Sequence, residues 1–399
     1  MKILFVSQHY RPEPFRLSDI CEDLVERGHE VTVLTGIPNY PEGKTYANYR
    51  NNKNRRETIE GVTVFRSYTI PRGKSTLHRI LNYFSFAISS SIGVLLGQYK
   101  AKDGSEFDCV FVNQSSPVMM AWAGMAYKNK YKKPLFLYCM DVWPDSLTVG
   151  GVKQDSLIFK LFKFISKKVY RASDYIFVTS PSFKNHFVNQ FDITEQKITY
   201  LPQYAEDLFI PDESIVNKES VDLTFAGNIG KAQNLETILK AASLIEKNTD
   251  LPKKIHFHFV GDGTELLSMK TLAHELELKN VSFYGRRSLE EMPTFYKKSD
   301  AMLVSLIGDS IVSRTIPGKV QSYMAAGKPI IGAISGDTKT IVEEANCGYV
   351  SSEQDVEQLA QNICEFSMLS IEEQKELGKQ ARSYYEKHFS KEQFMTQLE

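Results

Sequence analysis

Short apolar runs punctuate the chain, each bounded by glycine, proline or polar turn residues. In the first half they fall at residues 3–6, 31–34, 62–66, 109–113, 135–139, 175–179 and 198–201. The stretches between them have helical spacing or are rich in turn residues; residues 18–27, which Gly28 ends, are a helical case. Uninterrupted apolar runs alternating with helices predict strands buried on both faces of a mainly parallel, doubly wound sheet. The series then restarts at 223–226, 256–260, 281–284, 301–305, 329–333 and 348–350. The expected fold is therefore α/β, with two Rossmann-like domains facing one another across a cleft. The proline-flanked stretch 202–211 sets the boundary, giving domains 1–203 and 204–382. Residues 371–399 read as helices, and 383–399 are expected to return to the first domain.

A chain of 399 residues accommodates two such domains, each of about 150–200 residues. Its net charge of zero hides an asymmetry. Residues 1–200 carry 27 Lys and Arg against 18 Asp and Glu, a balance of +9, and residues 201–399 carry 21 against 30, a balance of −9. A basic half suits a polyanionic surface, either a nucleic acid or an anionic membrane. Two segments favour the membrane over nucleic acid. In residues 157–171, Ile158, Leu161, Phe162, Ile165 and Val169 share a helical face ringed by Lys160, Lys163, Lys167, Lys168 and Arg171. That is the pattern of a helix lying in a membrane interface, the alternative being a core-facing helix with solvated lysines. Residues 83–97 form a second, nearly uncharged run of 15 residues, short of the roughly 20 that span a bilayer. The N-terminal Met-Lys-Ile-Leu-Phe-Val-Ser is a strand rather than a signal peptide. Cys21, Cys109, Cys139, Cys347 and Cys364 are scattered without CxxC spacing. Both features suit a cytoplasmic protein, peripheral at the inner face of the cell membrane.

Candidate chemistry concentrates at strand ends. Residues 223–231, Leu-Thr-Phe-Ala-Gly-Asn-Ile-Gly-Lys, run from a strand through Gly227, Asn228 and Gly230 to Lys231. Gly261-Asp262-Gly263 and Gly285-Arg286 follow the next two strands. Residues 310–318 form a Pro/Gly-bent loop holding Arg314, Thr315, Ile316, Pro317 and Gly318. A short helix over 319–326 follows, with Lys319, Gln321 and Ser322, and Gly327 stops it. A loop feeding a helix N-terminus offers free N–H groups and a positive dipole end, which suits phosphate. Glycine turns in series along one sheet edge suit a nucleotide. In the first half, Asp141 ends a strand beside Trp143, and Asp145 is placed to cap the next turn. The loop after the first strand holds His9, Arg11, Glu13 and Arg16, groups that bind sugar hydroxyls or phosphate. No DxD triplet or His/Cys cluster occurs in the sequence, so no metal site is expected.

The chain resembles GT-B glycosyltransferases of the retaining family 4. The resemblance rests on residues 2–35 and on Pro-Asn-Tyr-Pro-Glu-Gly-Lys (38–44). Asp-Val-Trp-Pro-Asp-Ser (141–146) and Leu-Pro-Gln-Tyr-Ala-Glu-Asp-Leu-Phe (201–209) add to it. The second half contributes Gly-Asn-Ile-Gly-Lys-Ala-Gln (227–233) and Pro-Gly-Lys-Val-Gln-Ser-Tyr-Met-Ala-Ala-Gly-Lys-Pro (317–329). It is similar to a branch acting in capsule, O-antigen and colanic-acid assembly, some members of which transfer N-acetylfucosamine. The resemblance implies a UDP-sugar donor, an undecaprenyl-diphosphate saccharide acceptor, retention at the anomeric carbon and no metal or other cofactor. The base would lie near Gly261–Gly263 and Arg286, and the diphosphate between 227–231 and 314–319. Lys319 and Arg314 would stabilise the leaving group, and Asp141 would orient hydroxyls. The family's two glutamates fall here at Arg314 and Ser322, its arginine at Asn228, its histidine at Met140 and its Gly-Gly at Pro14-Phe15. A UDP-sugar 2-epimerase on a similar frame and a non-catalytic nucleotide-sugar-binding regulator stay open. The absence of GxGxxG after the first strand disfavours an NAD oxidoreductase.

Overall fold

The structure, a computed structural model, describes residues 1–73, 75–212, 219–248, 251–308, 311 and 315–399. It divides into two compact units, Met1–Val178 with Lys184–Tyr200, and Thr179–Phe183 with Leu201–Glu399.

The first unit is built on β1 (Lys2–Val6), β2 (Glu30–Thr35), β3 (Arg56–Ile59), β4 (Val62–Arg66), β5 (Cys109–Gln114), β6 (Leu135–Cys139), β7 (Tyr175–Val178) and β8 (Ile198–Tyr200). They form one sheet in the order β3-β4-β2-β1-β5-β6-β7-β8, parallel except for β3. The central strands are buried on both faces, which is why they read as continuous apolar runs. Only β3 escaped the pattern. Its residues Arg56-Glu57-Thr58-Ile59 alternate between exposed and half-buried. It joins β4 through Glu60 and Gly61, both at positive φ (45° and 78°), as a primed hairpin turn requires.

Two helices of this unit carry outward apolar stripes. Helix Leu157–Ala172 turns Phe159, Ser166, Val169 and Tyr170 inward, and Phe162 packs edge-on against Trp143 at 5.3 Å. Leu157 (84% exposed), Ile158, Leu161 and Phe164 (58%) face out. The amphipathic helix is present, but the apolar face read from spacing is split: Phe162 and Val169 serve the core, while Ile158 and Leu161 do not. Two apolar faces on one helix defeat an assignment by spacing alone. Lys167 and Arg171 both pair with Asp192, leaving Lys160 and Lys168 without a carboxylate partner among the described residues. Helix Thr76–Leu95 exposes Leu77, Ile80, Leu81, Ile88, Ile92 and Leu95 along one side. Among the described residues, no helix is long and apolar enough to cross a membrane.

The second unit holds β9 (Ser220–Ala226), β10 (Lys254–Val260), β11 (Val281–Gly285), β12 (Ala301–Ser305), β13 (Ile330–Ala333) and β14 (Gly348–Ser351). The order is β11-β10-β9-β12-β13-β14, all parallel. Its core joins Leu223, Phe225, Phe257 and Phe259 of the strands to Leu239, Ile363 and Phe366 of the flanking helices. The terminal helix Lys391–Leu398 groups with this unit, Phe394 meeting Tyr204 edge-on at 5.1 Å.

Candidate active site

In the second unit three turns project from the C-terminal ends of β9, β10 and β11. They are tied to one another by their backbones. The N–H of Gly227 donates to Val260, that of Ile229 to Asp262 and that of Gly261 to Gly285, each at 2.9 Å. This zipping explains the glycines. A Cβ on Gly261 would collide with the Gly227 carbonyl, and one on Gly263 with that of Ile229. At these two positions the absent side chain lets turn pack on turn. Gly227 differs. It sits at φ 141°, and a Cβ there would lie 3.1 Å from the Lys319 ammonium.

Lys319 reaches this spot from the first turn of helix Gly318–Ala325. Its Nζ donates to Gln233 Oε1 at 2.6 Å and lies 3.7 Å from the centroid of the Phe225 ring. No carboxylate pairs with it among the described residues. The residue is only half-buried, yet its ammonium is desolvated, and that burial lowers its pKa to about 7. A desolvated ammonium with one hydrogen bond has donors left for an anion. The helix adds the unpaired N–H groups of its first turn. Ahead of it, Ile316 is anchored through its N–H to Ser180 Oγ at 2.8 Å, and the Thr315 carbonyl accepts from Thr338 at 3.1 Å. Arg314 lies outside the described residues.

Around this centre Asn228, Lys231 and Arg286 are exposed on their turns, and Asp262 accepts the Gly263 N–H at 2.8 Å. Gln321 is 1% exposed and faces the core. Ser322 Oγ lies 3.4 Å from Glu206 Oε2, so a carboxylate from the 201–209 segment arrives beside the position where the family resemblance expects a glutamate. Gln233, Phe225, Ser180 and Glu206 were not singled out from sequence. Gln233, Phe225 and Glu206 lie inside quoted segments without being marked for this role, and nothing local marks Ser180.

In the first unit His9 and Glu13 form a buried pair, 5% and 2% exposed, with His9 Nδ1 2.8 Å from Glu13 Oε2. The other carboxylate oxygen accepts the N–H groups of Asn39 and Tyr40 at 2.7 and 2.6 Å. Glu13 is thus committed to holding the loop and orienting His9, whose ring stacks on Phe15 at 4.7 Å. The second imidazole nitrogen has no partner among the described residues. Arg11 is engaged in a two-pronged contact with Glu22 at 2.6 and 2.9 Å, and Arg16 starts helix Leu17–Glu26. Asp141 accepts from Ser116 Oγ, Ser146 Oγ and Trp143 Nε1, and burial raises its pKa despite them. Asp145 makes no capping bond; its carboxylate meets His186 Nε2 at 3.1 Å instead.

Two largely parallel α/β units, the second carrying a desolvated lysine among glycine turns, are the architecture of the GT-B glycosyltransferase class. Residues 16–203 match Glycosyltransferase Family 4, and residues 208–384 match Glycosyl transferases group 1. A protein named as a colanic acid biosynthesis glycosyl transferase, WcaI of Escherichia coli (strain K12), is 26% identical over 354 residues, 82% of each chain. The glycosyltransferase WbjE of Pseudomonas aeruginosa is 26% identical over 269 residues, covering 64% of this chain and 65% of its own. Among solved structures, sucrose-phosphate synthase of Thermosynechococcus elongatus superposes with a TM-score of 0.76 at 16% identity, covering 100% of this chain and 97% of its own. Anabaena HepE in complex with UDP and glucose gives 0.70 at 16% identity, covering 100% and 98%. The chain belongs to the family 4 glycosyltransferases with the GT-B fold, and it is a hexosyltransferase.

Proposed function

We propose that the protein transfers a sugar from a UDP-sugar to a lipid-linked saccharide during assembly of a bacterial surface polysaccharide, of capsule or O-antigen type. An N-acetylated amino sugar of the N-acetylfucosamine kind is the favoured donor, on the family resemblance. The naming of one relative for colanic acid biosynthesis supports the polysaccharide assignment. The observation that carries the donor reading is the Lys319 ammonium, desolvated beside Gly227 with one hydrogen bond and no carboxylate among the described residues. In this reading the diphosphate lies against Lys319 and the backbone at Pro317–Gly318. Asn228, Gly230 and Lys231 sit at its edge, the base near Gly261–Gly263 and Arg286, and the ribose beside Ser322 and Glu206.

In the reaction the bond from the anomeric carbon to the donor phosphate oxygen breaks. A bond to the acceptor hydroxyl oxygen forms with retained configuration. The hydroxyl proton passes to the departing phosphate, so no protein base is needed. Lys319 and the helix N–H groups stabilise the charge that develops on the diphosphate, an effect of about 3–4 kcal/mol per well-placed donor. Neutralisation is assigned to these groups rather than to a metal. His9 is assigned to an acceptor hydroxyl through its open ring nitrogen, with Glu13 as its orienting partner. Asp141 is reassigned as a positioning residue for the segment holding Trp143. The outward apolar stripes with Lys160 and Lys168 are assigned to the anionic inner face of the membrane.

Calorimetric titration with UDP tests the donor site. Binding to the wild type that weakens about 10–100-fold in Lys319→Met supports it. Equal affinity in the two proteins refutes it.

A further inference from the structure

The helix that carries Lys319 is fastened differently at its two ends. At the rear, the Tyr323 hydroxyl accepts the Ala226 N–H at 2.9 Å and donates to the Ala226 carbonyl at 3.0 Å. Arg382 adds a bond to the Ala325 carbonyl at 2.6 Å. At the front, Pro317 supplies no side-chain cap. Two fully buried hydroxyls act just ahead of it: Ser180 accepts the Ile316 N–H, and Thr338 donates to the Thr315 carbonyl.

Ser180 spends its hydroxyl outside its own helix. It precedes helix Pro181–Phe191, where a serine oxygen ordinarily accepts from the second or third N–H of the helix it caps. Its carbonyl does begin that helix, accepting the Phe183 N–H at 3.1 Å. The Ser182 N–H, however, goes to Asp337 Oδ2 at 2.9 Å, and the Ser180 hydroxyl goes to Ile316. Asp337 and Thr338 are neighbours in helix Gly336–Glu344. The bonds therefore close a ring: Ser180 to Ile316, along the chain to Thr315, across to Thr338, along to Asp337, across to Ser182 and back. Thr179–Phe183 groups with the second unit, so the whole ring lies within one unit. Ile316 is 2% exposed, so losing the Ser180 oxygen strands a buried N–H.

We infer that Ser180 is the positioning residue of the donor's anion site: through Ile316 it holds the start of helix Gly318–Ala325, so that the first-turn N–H groups and the Lys319 ammonium face one place before a nucleotide arrives. The inference rests on the donor reading and deepens it. Ser180 does not touch the donor in this account; it raises the fraction of molecules whose site is already assembled. A ligand that must first assemble its site loses apparent affinity in proportion to that fraction. Removing one buried hydrogen bond corresponds to a loss of about five- to tenfold.

The test compares Ser180→Ala with Ser182→Ala in the full chain. The Ser182 hydroxyl is buried without a partner among the described residues, and its replacement keeps the N–H bond to Asp337. Amide exchange at Ile316 reads the bond itself, and UDP titration reads its consequence. Ser180→Ala should speed exchange at Ile316 and weaken UDP binding about five- to tenfold; Ser182→Ala should change neither. Thr338→Val, which keeps the side-chain shape and removes the second hydroxyl of the ring, should also weaken UDP binding, and it carries the test on the same terms if Ser180→Ala does not fold. At saturating UDP and pH 8, Ser180→Ala should take up as many protons as the wild type, because the Lys319 ammonium is untouched and only its advance placement is lost. Faster exchange at Ile316 with unchanged UDP affinity makes the bond purely structural and overturns the inference. An equal loss of affinity in Ser182→Ala, or a smaller proton uptake in Ser180→Ala, overturns it too. Failure of UDP to bind the wild type is a separate result, and it sinks the donor reading instead.

Discussion

Replacing Lys319 by methionine should make the empty protein more stable while removing its hold on UDP. The lysine's pKa falls from 10.5 to about 7 through burial, a penalty of about 5 kcal/mol when the group is fully charged in both states. Methionine keeps the unbranched stem and gives up the Gln233 hydrogen bond, about 1 kcal/mol. It also gives up the contact with Phe225, about 1–2 kcal/mol. The expected net gain is about 2–3 kcal/mol near pH 6. The folded pKa lies below the unfolded one, so between about pH 7 and pH 10.5 the unfolded wild type binds more protons than the folded. Wild-type stability therefore rises with pH through this window, and the methionine variant's advantage shrinks by about 3 kcal/mol between pH 6 and pH 9. Both tryptophans, Trp122 and Trp143, lie in the first unit and do not report on this site. Hydrogen exchange of peptides spanning β9 and Gly318–Ala325, as a function of urea at each pH, supplies the readout. UDP binding to the wild type at pH 8 should take up protons, detectable as a buffer-dependent heat, because an anion beside Lys319 restores its charge. A variant no more stable than wild type at pH 6, or an advantage independent of pH, would refute the account of a desolvated, anion-seeking ammonium.

Other perturbations separate roles that proximity blurs. Asp141→Asn should destabilise the first unit by about 1–3 kcal/mol, because three donors converge on the carboxylate; urea unfolding followed by Trp143 fluorescence reads this directly. Gly227→Ala should cost UDP affinity by displacing the ammonium, whereas Gly285→Ala, which meets nothing within 4 Å, should cost only the backbone strain of a positive φ, about 1 kcal/mol. UDP titrations and thermal melts of the pair compare the two. Leu161→Gln with Phe164→Gln should lower partitioning onto phosphatidylglycerol-containing vesicles by about two orders of magnitude. Lys160→Glu with Lys168→Glu should reduce the same binding more than Lys167→Glu with Arg171→Glu, since Asp192 already neutralises the latter pair.

Strand positions were legible because strands covered on both faces are unbroken apolar runs. β3 was not, because a half-exposed edge strand carries no such run. The glycine turns and the helix start at Lys319 were legible, since turn chemistry is local. The purpose of Gly261 and Gly263 was not local: it lies in turns 34 residues upstream, at Gly227 and Ile229, whose carbonyls occupy the space a Cβ would need. Placing the Lys319 ammonium against Gly227, Gln233 and Phe225 likewise takes the fold. The helix at Leu157–Ala172 was recognised by its period, yet its core face was misread, because inward and outward faces are both apolar. Asp141 drew notice as a carboxylate at a strand end; only the packed structure reveals how fully Ser116, Trp143 and Ser146 consume it.

The zipped turns bear on how such an enzyme can acquire a new donor. Their spacing is set by main-chain bonds that tolerate no added atoms at Gly261 or Gly263. Insertions or loop exchanges there would dismantle the sheet edge before altering preference. What remains free to vary is the fringe of side chains standing on that scaffold, Asn228, Lys231, Asp262 and Arg286. On the proposed donor reading, retargeting to another nucleotide or sugar is a problem of point substitution on a fixed backbone rim, and libraries confined to those positions should retain foldable members where loop-grafted ones lose them.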